Sequence, residues 1–155
     1  MAAWLFVAWV AAQATLAPKP IETKHVTVRT SAGPMGSGKL LLHVDVTPRD
    51  KMRVYAPGQP GYIAIELKLD ADAPVTASGK PKYPAGEKLF MPALNETQLV
   101  YSTPFRITQE VTPRAVPDRA PVIRGSLRYQ ACDDAICYKP ATIALSWPIP
   151  NSEPR

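Results

Sequence analysis

Two cysteines, the only ones in the chain, are the residues best suited to chemistry. Cys132 and Cys137 lie in the segment Tyr-Gln-Ala-Cys-Asp-Asp-Ala-Ile-Cys-Tyr-Lys-Pro, residues 129–140. Alternating apolar residues on both sides of the pair predict two antiparallel strands: Leu127, Tyr129 and Ala131 before it, and Ile143, Leu145 and Trp147 after it. Cysteines at the two ends of such a hairpin connection have Cα separations of roughly 4.5 to 5.5 Å, which permits a disulfide. We therefore predict that the pair can oxidise without moving the backbone.

The chemistry open to this pair is thiol-disulfide exchange, in which a thiolate attacks a disulfide and forms a mixed disulfide. A purely structural disulfide, or staple, is a weaker interpretation of the pair. A chain of 155 residues can bury a core unaided, and cross-linking so short a loop stabilises the fold by only about 2 kcal/mol. Asp133 and Asp134 lie between the cysteines with no basic neighbour before Lys139, so we expect them to disfavour the thiolate. Because Lys139 is nearer in sequence to Cys137, the local field favours the thiolate there rather than at Cys132.

Metal binding by the same cysteines is a third interpretation. A zinc site would have to recruit His25 and His43 from far upstream, without any ligand spacing to support it. A soft copper site could use Met35, Met52 or Met91 and has no motif. The sequence therefore predicts neither a metal site nor a cofactor.

The apolar N-terminal segment predicts export. Residues 2–17 carry no charge, are too short for a comfortable membrane span, and contain Ala12-Gln13-Ala14, a possible cleavage signature. We interpret residues 1–17 as a secretory signal peptide, although no Lys or Arg precedes the apolar run, so translation starts further upstream or the leader is retained as a weak anchor. Export predicts a periplasmic or otherwise extracytoplasmic location, where disulfides persist, and membrane contact only through an uncleaved leader.

The remaining composition argues against nucleic-acid and nucleotide binding. The net charge of +5 is spread over scattered basic residues without interleaved aromatics, which is typical of a solvated surface. Residues 33–39 match the G-x-x-x-x-G-K core of a phosphate-binding loop. However, Leu40 stands where Ser or Thr should reach magnesium, and a strand pattern follows instead of a helix. We predict a glycine-rich hairpin turn.

The rest of the chain predicts an all-β fold. Two-residue periodicity marks strands at 25–30, 39–47, 62–70 and 105–111, a short strand starting at 122–123, and the cysteine hairpin. Segments 48–61 and 71–97 are predicted to be long loops, and 18 prolines exclude helices beyond single turns. We predict an antiparallel immunoglobulin-like β-sandwich over residues 18–150, followed by a polar tail at 151–155.

The cysteine segment at 129–140 resembles the active-site hairpin of the N-terminal periplasmic domain of the bacterial thiol:disulfide interchange protein DsbD family. Two upstream segments add to this resemblance, which covers roughly residues 25–150. Residues 52–58, Met-Arg-Val-Tyr-Ala-Pro-Gly, look like the aromatic motif at the start of a strand in that family. Residues 83–92 occupy the place of its cap loop.

The resemblance implies an immunoglobulin-like domain that takes electrons from a thioredoxin-like donor and passes them to oxidised periplasmic proteins. Carried over by position, Cys137 would form mixed disulfides, Cys132 would resolve them, and Phe90 would be the aromatic lid. Tyr55 and Tyr138 are further candidates for shielding the pair. Because the family's transmembrane and thioredoxin-like parts do not follow here, we expect the donor to be a separate molecule.

Two departures from the family pattern are visible in the sequence. The best-known member has one more residue between the cysteines, and its acidic-aromatic cap is matched only loosely by residues 87–90. An alternative function therefore stays open beside a thiol:disulfide oxidoreductase-type relay. It is a secreted, non-catalytic immunoglobulin-like module that binds another protein and carries a structural disulfide.

Overall fold

The computed structural model describes residues 18–114 and 122–149, and these residues form twelve β-strands and no helix. The predicted leader at 1–17 and the tail at 151–155 lie outside the described residues. The strands are β1 (Ile21–Glu22), β2 (Val26–Met35), β3 (Lys39–Pro48), β4 (Arg53–Tyr55), β5 (Glu66–Leu69), β6 (Val75–Ala77), β7 (Glu87–Met91), β8 (Glu96–Tyr101), β9 (Phe105–Pro113), β10 (Val122–Tyr129), β11 (Ala131–Cys132) and β12 (Ala141–Pro148).

The strands form antiparallel sheets in an immunoglobulin-like arrangement, as predicted. One sheet has the order β1-β2-β3-β9-β6, a second has β12-β10-β5, and a third has β11-β4-β8-β7. The first two sheets are joined across the core by polar contacts to the backbone. Trp147 donates its indole N–H to the carbonyl of His43 at 3.0 Å, and Thr30 donates its hydroxyl to the carbonyl of Ser146 at 2.7 Å.

The core is formed by the alternating apolar positions that the sequence pattern marks. On the strands flanking the cysteines, Leu127 and Trp147 are fully buried, and Tyr129, Ile143 and Leu145 are also buried. The register of β10 and β12 pairs Leu127 with Ile143, which confirms the predicted hairpin. Period-2 alternation places these side chains on one face of the two strands, and this face packs into the core. The packing of that face also fixes where the cysteine segment leaves the strands.

The glycine-rich segment at 33–39 is a hairpin turn, as predicted. Strand β2 continues to Met35, which pairs with Lys39 at the start of β3. The three intervening residues include Ser37 and Gly38, which both have positive φ. A turn of this kind needs left-handed backbone, which glycine adopts at little cost.

Three predicted segments were wrong. The predicted strand at 62–70 is regular only over Glu66–Leu69. The predicted loop at 48–61 contains β4, and the predicted loop at 71–97 contains β6, β7 and the start of β8. Before β5 the backbone is bonded irregularly: the Ile63 N–H donates to the side-chain amide of Gln130, and the Ile65 N–H donates to the carbonyl of Tyr55. The apolar residues of this segment therefore alternate in sequence, but its backbone does not form a continuous ladder of strand hydrogen bonds.

Gln130 marks the point where the chain leaves one sheet for another. Tyr129 ends β10 and pairs with Ala141, whereas Ala131 begins β11 and pairs with Val54 of β4. The Gln130 side chain accepts from the Ile63 N–H and donates to the carbonyl of Tyr138 at 3.1 Å. Cys132 therefore lies on β11, the edge strand of the third sheet, and Cys137 forms a bridge to it.

We expect Gly125→Ala to destabilise the fold by about 1 to 3 kcal/mol, the usual cost of overpacking. A Cβ at Gly125 would lie 2.4 Å from the carbonyl oxygen of Lys68 and 3.3 Å from the Trp147 ring, so β5 and β10 would have to separate. Gly33→Ala is the matched control, since a Cβ there meets nothing within 4 Å. The free energy of unfolding from urea titration tests this, and equal effects of both substitutions would contradict the packing argument.

Candidate redox site

Cys132 and Cys137 form a disulfide in this structure. Their Cα atoms are 4.0 Å apart, somewhat closer than the 4.5 to 5.5 Å expected for a hairpin pair. The two residues face each other as an antiparallel bridge, and the Tyr138 N–H donates to the Ala131 carbonyl at 2.8 Å. The predicted placement of one cysteine at each end of the connection is confirmed.

The two sulfur-bearing residues differ sharply in exposure. Cys132 is 2% exposed and packs with Tyr55 and Val100 in a small apolar cluster beside the main core. Cys137 is exposed, as is Ile136 before it, whose exposed fraction is 56%. Attack on a disulfide requires access to the sulfur that is attacked. Cys137 is therefore the more accessible residue of the disulfide.

Tyr55 lies directly against the disulfide. Its hydroxyl oxygen is 3.1 Å from Cys132 Sγ and 3.2 Å from Cys137 Sγ, and it is the donor because a disulfide sulfur carries no hydrogen. Burial raises the pKa of Tyr55 well above its ordinary value, and the neighbouring Tyr62 raises it further. The two rings stack with centroids 4.3 Å apart. The hydroxyl thus stays protonated at neutral pH and keeps a proton available to either sulfur.

Asp133 holds the connection between the cysteines in shape. Its Oδ1 accepts from the N–H groups of Ala135 and Ile136 at 2.8 Å, and its Oδ2 accepts from the Tyr138 hydroxyl at 2.7 Å. The hydrogen bond from Tyr138 is the largest cause of a lowered pKa of Asp133, about 2, followed by the backbone bonds. These contacts explain why Asp, which bonds its own backbone two or three residues on, suits this turn.

Tyr138 follows the exposed cysteine in the chain. The ring packs against the imidazole of His25 with centroids 4.4 Å apart, and the ammonium of Lys24 lies 5.2 Å from the ring centroid. The hydrogen bond to Asp133 raises the pKa of Tyr138. The ring is therefore held by contacts to His25, Lys24 and Asp133, and its shielding of the cysteine pair stays a prediction.

Arg53 is a site residue that sequence reasoning missed. It pairs in register with Cys132 across β4 and β11, and its guanidinium forms an ion pair with Asp134. Along the chain, Lys139 is the first basic residue after the two aspartates, and Arg53 lies far upstream of them. The structure corrects the expectation of no nearby cation, since a cation from another strand faces Cys132. The signal that could have found it was Arg53 two residues before Tyr55, on the same face of a strand.

The predicted cap residues fall on strand β7 and not on a loop. Leu89 packs against the cluster that contains Cys132 and Tyr55, whereas Phe90 is 55% exposed. Neighbouring residues of a strand point to opposite faces, so Phe90 points away from the face that Leu89 uses. The shielding role of Phe90 stays a prediction, and the geometry favours Leu89 for that position.

The other candidate ligands lie on separate elements. His25 packs on Tyr138, His43 lies within β3, and Met35 and Met91 end β2 and β7. Within residues 18–114 and 122–149, no three His, Cys, Asp or Glu side chains are grouped as metal ligands. No helix able to cross a membrane occurs in the same part of the chain.

An immunoglobulin-like sandwich with a disulfide between one buried and one exposed cysteine is an arrangement suited to a domain of the thiol-disulfide interchange class. The sequence match agrees with this classification. Residues 17–146 match the family described as thiol:disulfide interchange protein DsbD, N-terminal. The chain belongs to this family. A search of the curated proteins found no match to the chain.

Two solved structures share the fold. The N-terminal periplasmic domain of ScsB from Proteus mirabilis aligns with a TM-score of 0.60 at 17% identity, covering 85% of this chain and 49% of that one. The N-terminal domain of DsbD from Neisseria meningitidis, in its reduced form, aligns with a TM-score of 0.53 at 19% identity, covering 83% and 88%. The chain thus spans about half the length of the ScsB domain it matches.

We expect the stability of the fold to depend on Asp133 at acid pH. Because its pKa is lowered from 3.8 to about 2 in the folded state, its carboxylate stabilises the fold above pH 4, and this contribution is lost as the pH falls through 2. Asp133→Asn should flatten the change in free energy of unfolding between those pH values. Asp72→Asn, at an exposed carboxylate outside the hairpin, controls for the loss of one charge. An unaltered acid dependence in Asp133→Asn would contradict this role.

Proposed function

We propose that the protein is a periplasmic thiol-disulfide exchange domain that relays reducing equivalents through Cys132 and Cys137. The donor is a thioredoxin-like protein, and the acceptors are oxidised proteins of the envelope. The observation that carries the proposal is the asymmetry of the disulfide, with one sulfur-bearing residue exposed and the other buried under Tyr55. A staple has no need of such an asymmetry, whereas directed exchange needs one accessible sulfur and one protected leaving group.

Reduction of the domain proceeds in two balanced steps. A donor thiolate attacks Cys137 Sγ and forms a mixed disulfide, while the electron pair of the broken S–S bond goes to Cys132 Sγ, which takes up a proton. The second donor thiol then loses its proton and attacks the donor sulfur of the mixed disulfide, and the released Cys137 thiolate takes up a proton. The donor is oxidised to its disulfide and the domain is reduced to the dithiol.

Transfer to the acceptor is the reverse sequence on another protein. The Cys137 thiolate attacks one sulfur of the acceptor disulfide, and the second acceptor sulfur leaves as a thiolate. Cys132, after losing its proton, attacks Cys137 Sγ and releases the first acceptor sulfur. The acceptor ends as a dithiol and the domain returns to the disulfide, so no cofactor is required.

We also infer the cellular setting from the same assignment. Residues 1–17 direct export, residues 18–150 form the exchange domain, and residues 151–155 are a polar tail. The proposed location is the periplasm, which agrees with the matched family and with the oxidising conditions that a disulfide needs. Nucleic acid and nucleotides are not part of the proposed function.

We expect Cys132→Ala to accumulate mixed disulfides with a thioredoxin-like protein or an envelope acceptor, because Cys137 then lacks the thiol that resolves them. Cys137→Ala is the matched variant and should trap far fewer, since Cys132 is buried. Non-reducing electrophoresis with mass spectrometry of the trapped species measures both. If neither variant traps a protein and each lowers stability by about 2 kcal/mol, the disulfide is a staple and the non-catalytic binding module is the better assignment.

We expect Leu89→Ala to speed alkylation of the reduced thiols severalfold, because Leu89 packs over the cluster that holds Cys132. Phe90→Ala is the matched control on the adjacent, outward-facing position and should change the rate less. Rates of reaction with iodoacetamide on the reduced protein compare the two. A faster reaction in Phe90→Ala alone would return the lid role to Phe90, as the family resemblance implies.

A further inference from the structure

Arg53 faces the buried cysteine from the neighbouring strand. The register of β4 and β11 makes Arg53 and Cys132 direct cross-strand partners. Side chains of directly opposed residues lie on the same face, with Cβ atoms roughly 4.5 to 5.5 Å apart. Tyr55, two residues further along β4, shares that face and contacts both sulfurs. Arg53 thus belongs to the surroundings of the Cys132 sulfur and not only to those of the loop.

The Arg53 guanidinium is held at this position, and only part of its hydrogen-bonding capacity is satisfied. Its side chain is 14% exposed, whereas that of its ion-pair partner Asp134 is 68% exposed. One guanidinium nitrogen bonds Asp134, but the other terminal nitrogen, Nη1, is buried and has no hydrogen-bond acceptor within the described residues. A buried donor without an acceptor is costly, because it has lost its hydrogen bonds to water and gained none in the protein. An acceptor that appears only in another redox state of the protein would remove this cost.

Opening of the disulfide creates such an acceptor. When Cys137 is attacked, the leaving group is the thiolate of Cys132, and this negative charge forms at a residue that is 2% exposed. A thiolate buried away from water needs a nearby cation or hydrogen-bond donors. The Tyr55 hydroxyl supplies one donor, and Arg53 supplies a full positive charge on the same face.

We propose that Arg53 is a positioning residue that stabilises the Cys132 thiolate as it leaves during exchange. The proposal rests on the proposed function, because it assigns a role within the same reaction. In the step concerned, an external thiolate forms a bond with Cys137 Sγ, the S–S bond breaks, and Cys132 Sγ carries the displaced electron pair beside Arg53. A better-stabilised leaving thiolate departs faster.

Charged and titratable groups of both signs lie around Cys132, so removing a positive charge and removing a negative charge should shift thiolate formation in opposite directions. These groups are Arg53 and Tyr55 from β4 and Asp133, Asp134 and Tyr138 from the hairpin, together with Tyr62, which packs on the same cluster, and Glu96 from β8, which lies near Tyr55 and Tyr62. Removing the cation should disfavour the thiolate. Removing the charge of Asp134 should favour it, because Arg53 is then released from its partner. If Arg53 only tethered the hairpin through Asp134, both changes would break the same contact and act in the same direction.

The experiment measures the pH midpoint of thiolate formation at Cys132 from ultraviolet absorbance, in the background of Cys137→Ala. Absorbance is chosen because a buried thiol is poorly reached by reagents. Arg53→Met should raise the midpoint by about one pH unit, the low end of the effect of an opposite charge within roughly 4 to 6 Å. Arg53→Lys should restore part of that shift, and Asp134→Asn should lower the midpoint.

Two results would overturn the proposal: an unchanged midpoint in folded Arg53→Met, or a shift of Asp134→Asn in the same direction as Arg53→Met. Asp134 is exposed, so Asp134→Asn keeps the test decisive should Arg53→Met fail to fold. A second readout uses the intact disulfide. Its reduction by dithiothreitol should slow severalfold in Arg53→Met and not in Arg49→Met, an arginine paired with Glu22.

These measurements also separate the inference from the relay itself. Both use only this chain and a small reagent, so they do not depend on any protein partner. If the midpoints shift as expected while Cys132→Ala traps no partner, the relay is wrong and the role of Arg53 at the sulfur stands. If partners are trapped while the midpoints stay fixed, the relay stands and this inference is wrong.

Discussion

The crossing of the chain from one sheet to another at Gln130 is the constraint on which the site depends. Up to Tyr129 the chain follows the core-facing ladder with β12, and from Ala131 it follows β4. Gln130 makes this possible because its amide bonds the backbone of Ile63 and of Tyr138. Without these bonds, polar backbone groups at the junction would lose partners, at about 1 to 3 kcal/mol for each buried group. The crossing brings Cys132 into register with Arg53 and into contact with the Tyr55 hydroxyl.

The sequence was sufficient to predict the fold class and the position of the disulfide. Period-2 patterns at Leu127 to Ala131 and at Ile143 to Trp147 are long and regular, so they identified the strands and the hairpin between them. It was insufficient at β7, where charged and proline residues surround a short edge strand and hide its periodicity. Of the apolar triplet Leu89-Phe90-Met91, Met91 is buried and Leu89 packs on the cluster with Cys132, whereas Phe90 is exposed. The alternation of side chains along the strand decides that Leu89, and not Phe90, packs toward Cys132.

Arg53 shows a more general limit of reasoning along the chain. Along the chain, the residues next to the cysteines include two carboxylates and no nearby cation. In the fold, the carboxylate of Asp133 is bonded by backbone N–H groups and Tyr138, and that of Asp134 is paired with Arg53. Each of the two carboxylates therefore has hydrogen-bonding or ion-pair partners close to it in the fold. No local pattern predicts a cross-strand cation, because the register between β4 and β11 is set by the whole sheet.

The two sulfurs are chemically alike in the sequence and are made unlike by their surroundings. Cys137 is an exposed residue that follows the exposed Ile136. Cys132 lies beneath a protonated tyrosine hydroxyl and opposite an arginine. Because an exchange reaction needs one sulfur that can be attacked and another that can leave, this division supplies both with a single disulfide. The direction of attack is then a consequence of burial, and the ease of departure is a consequence of charge.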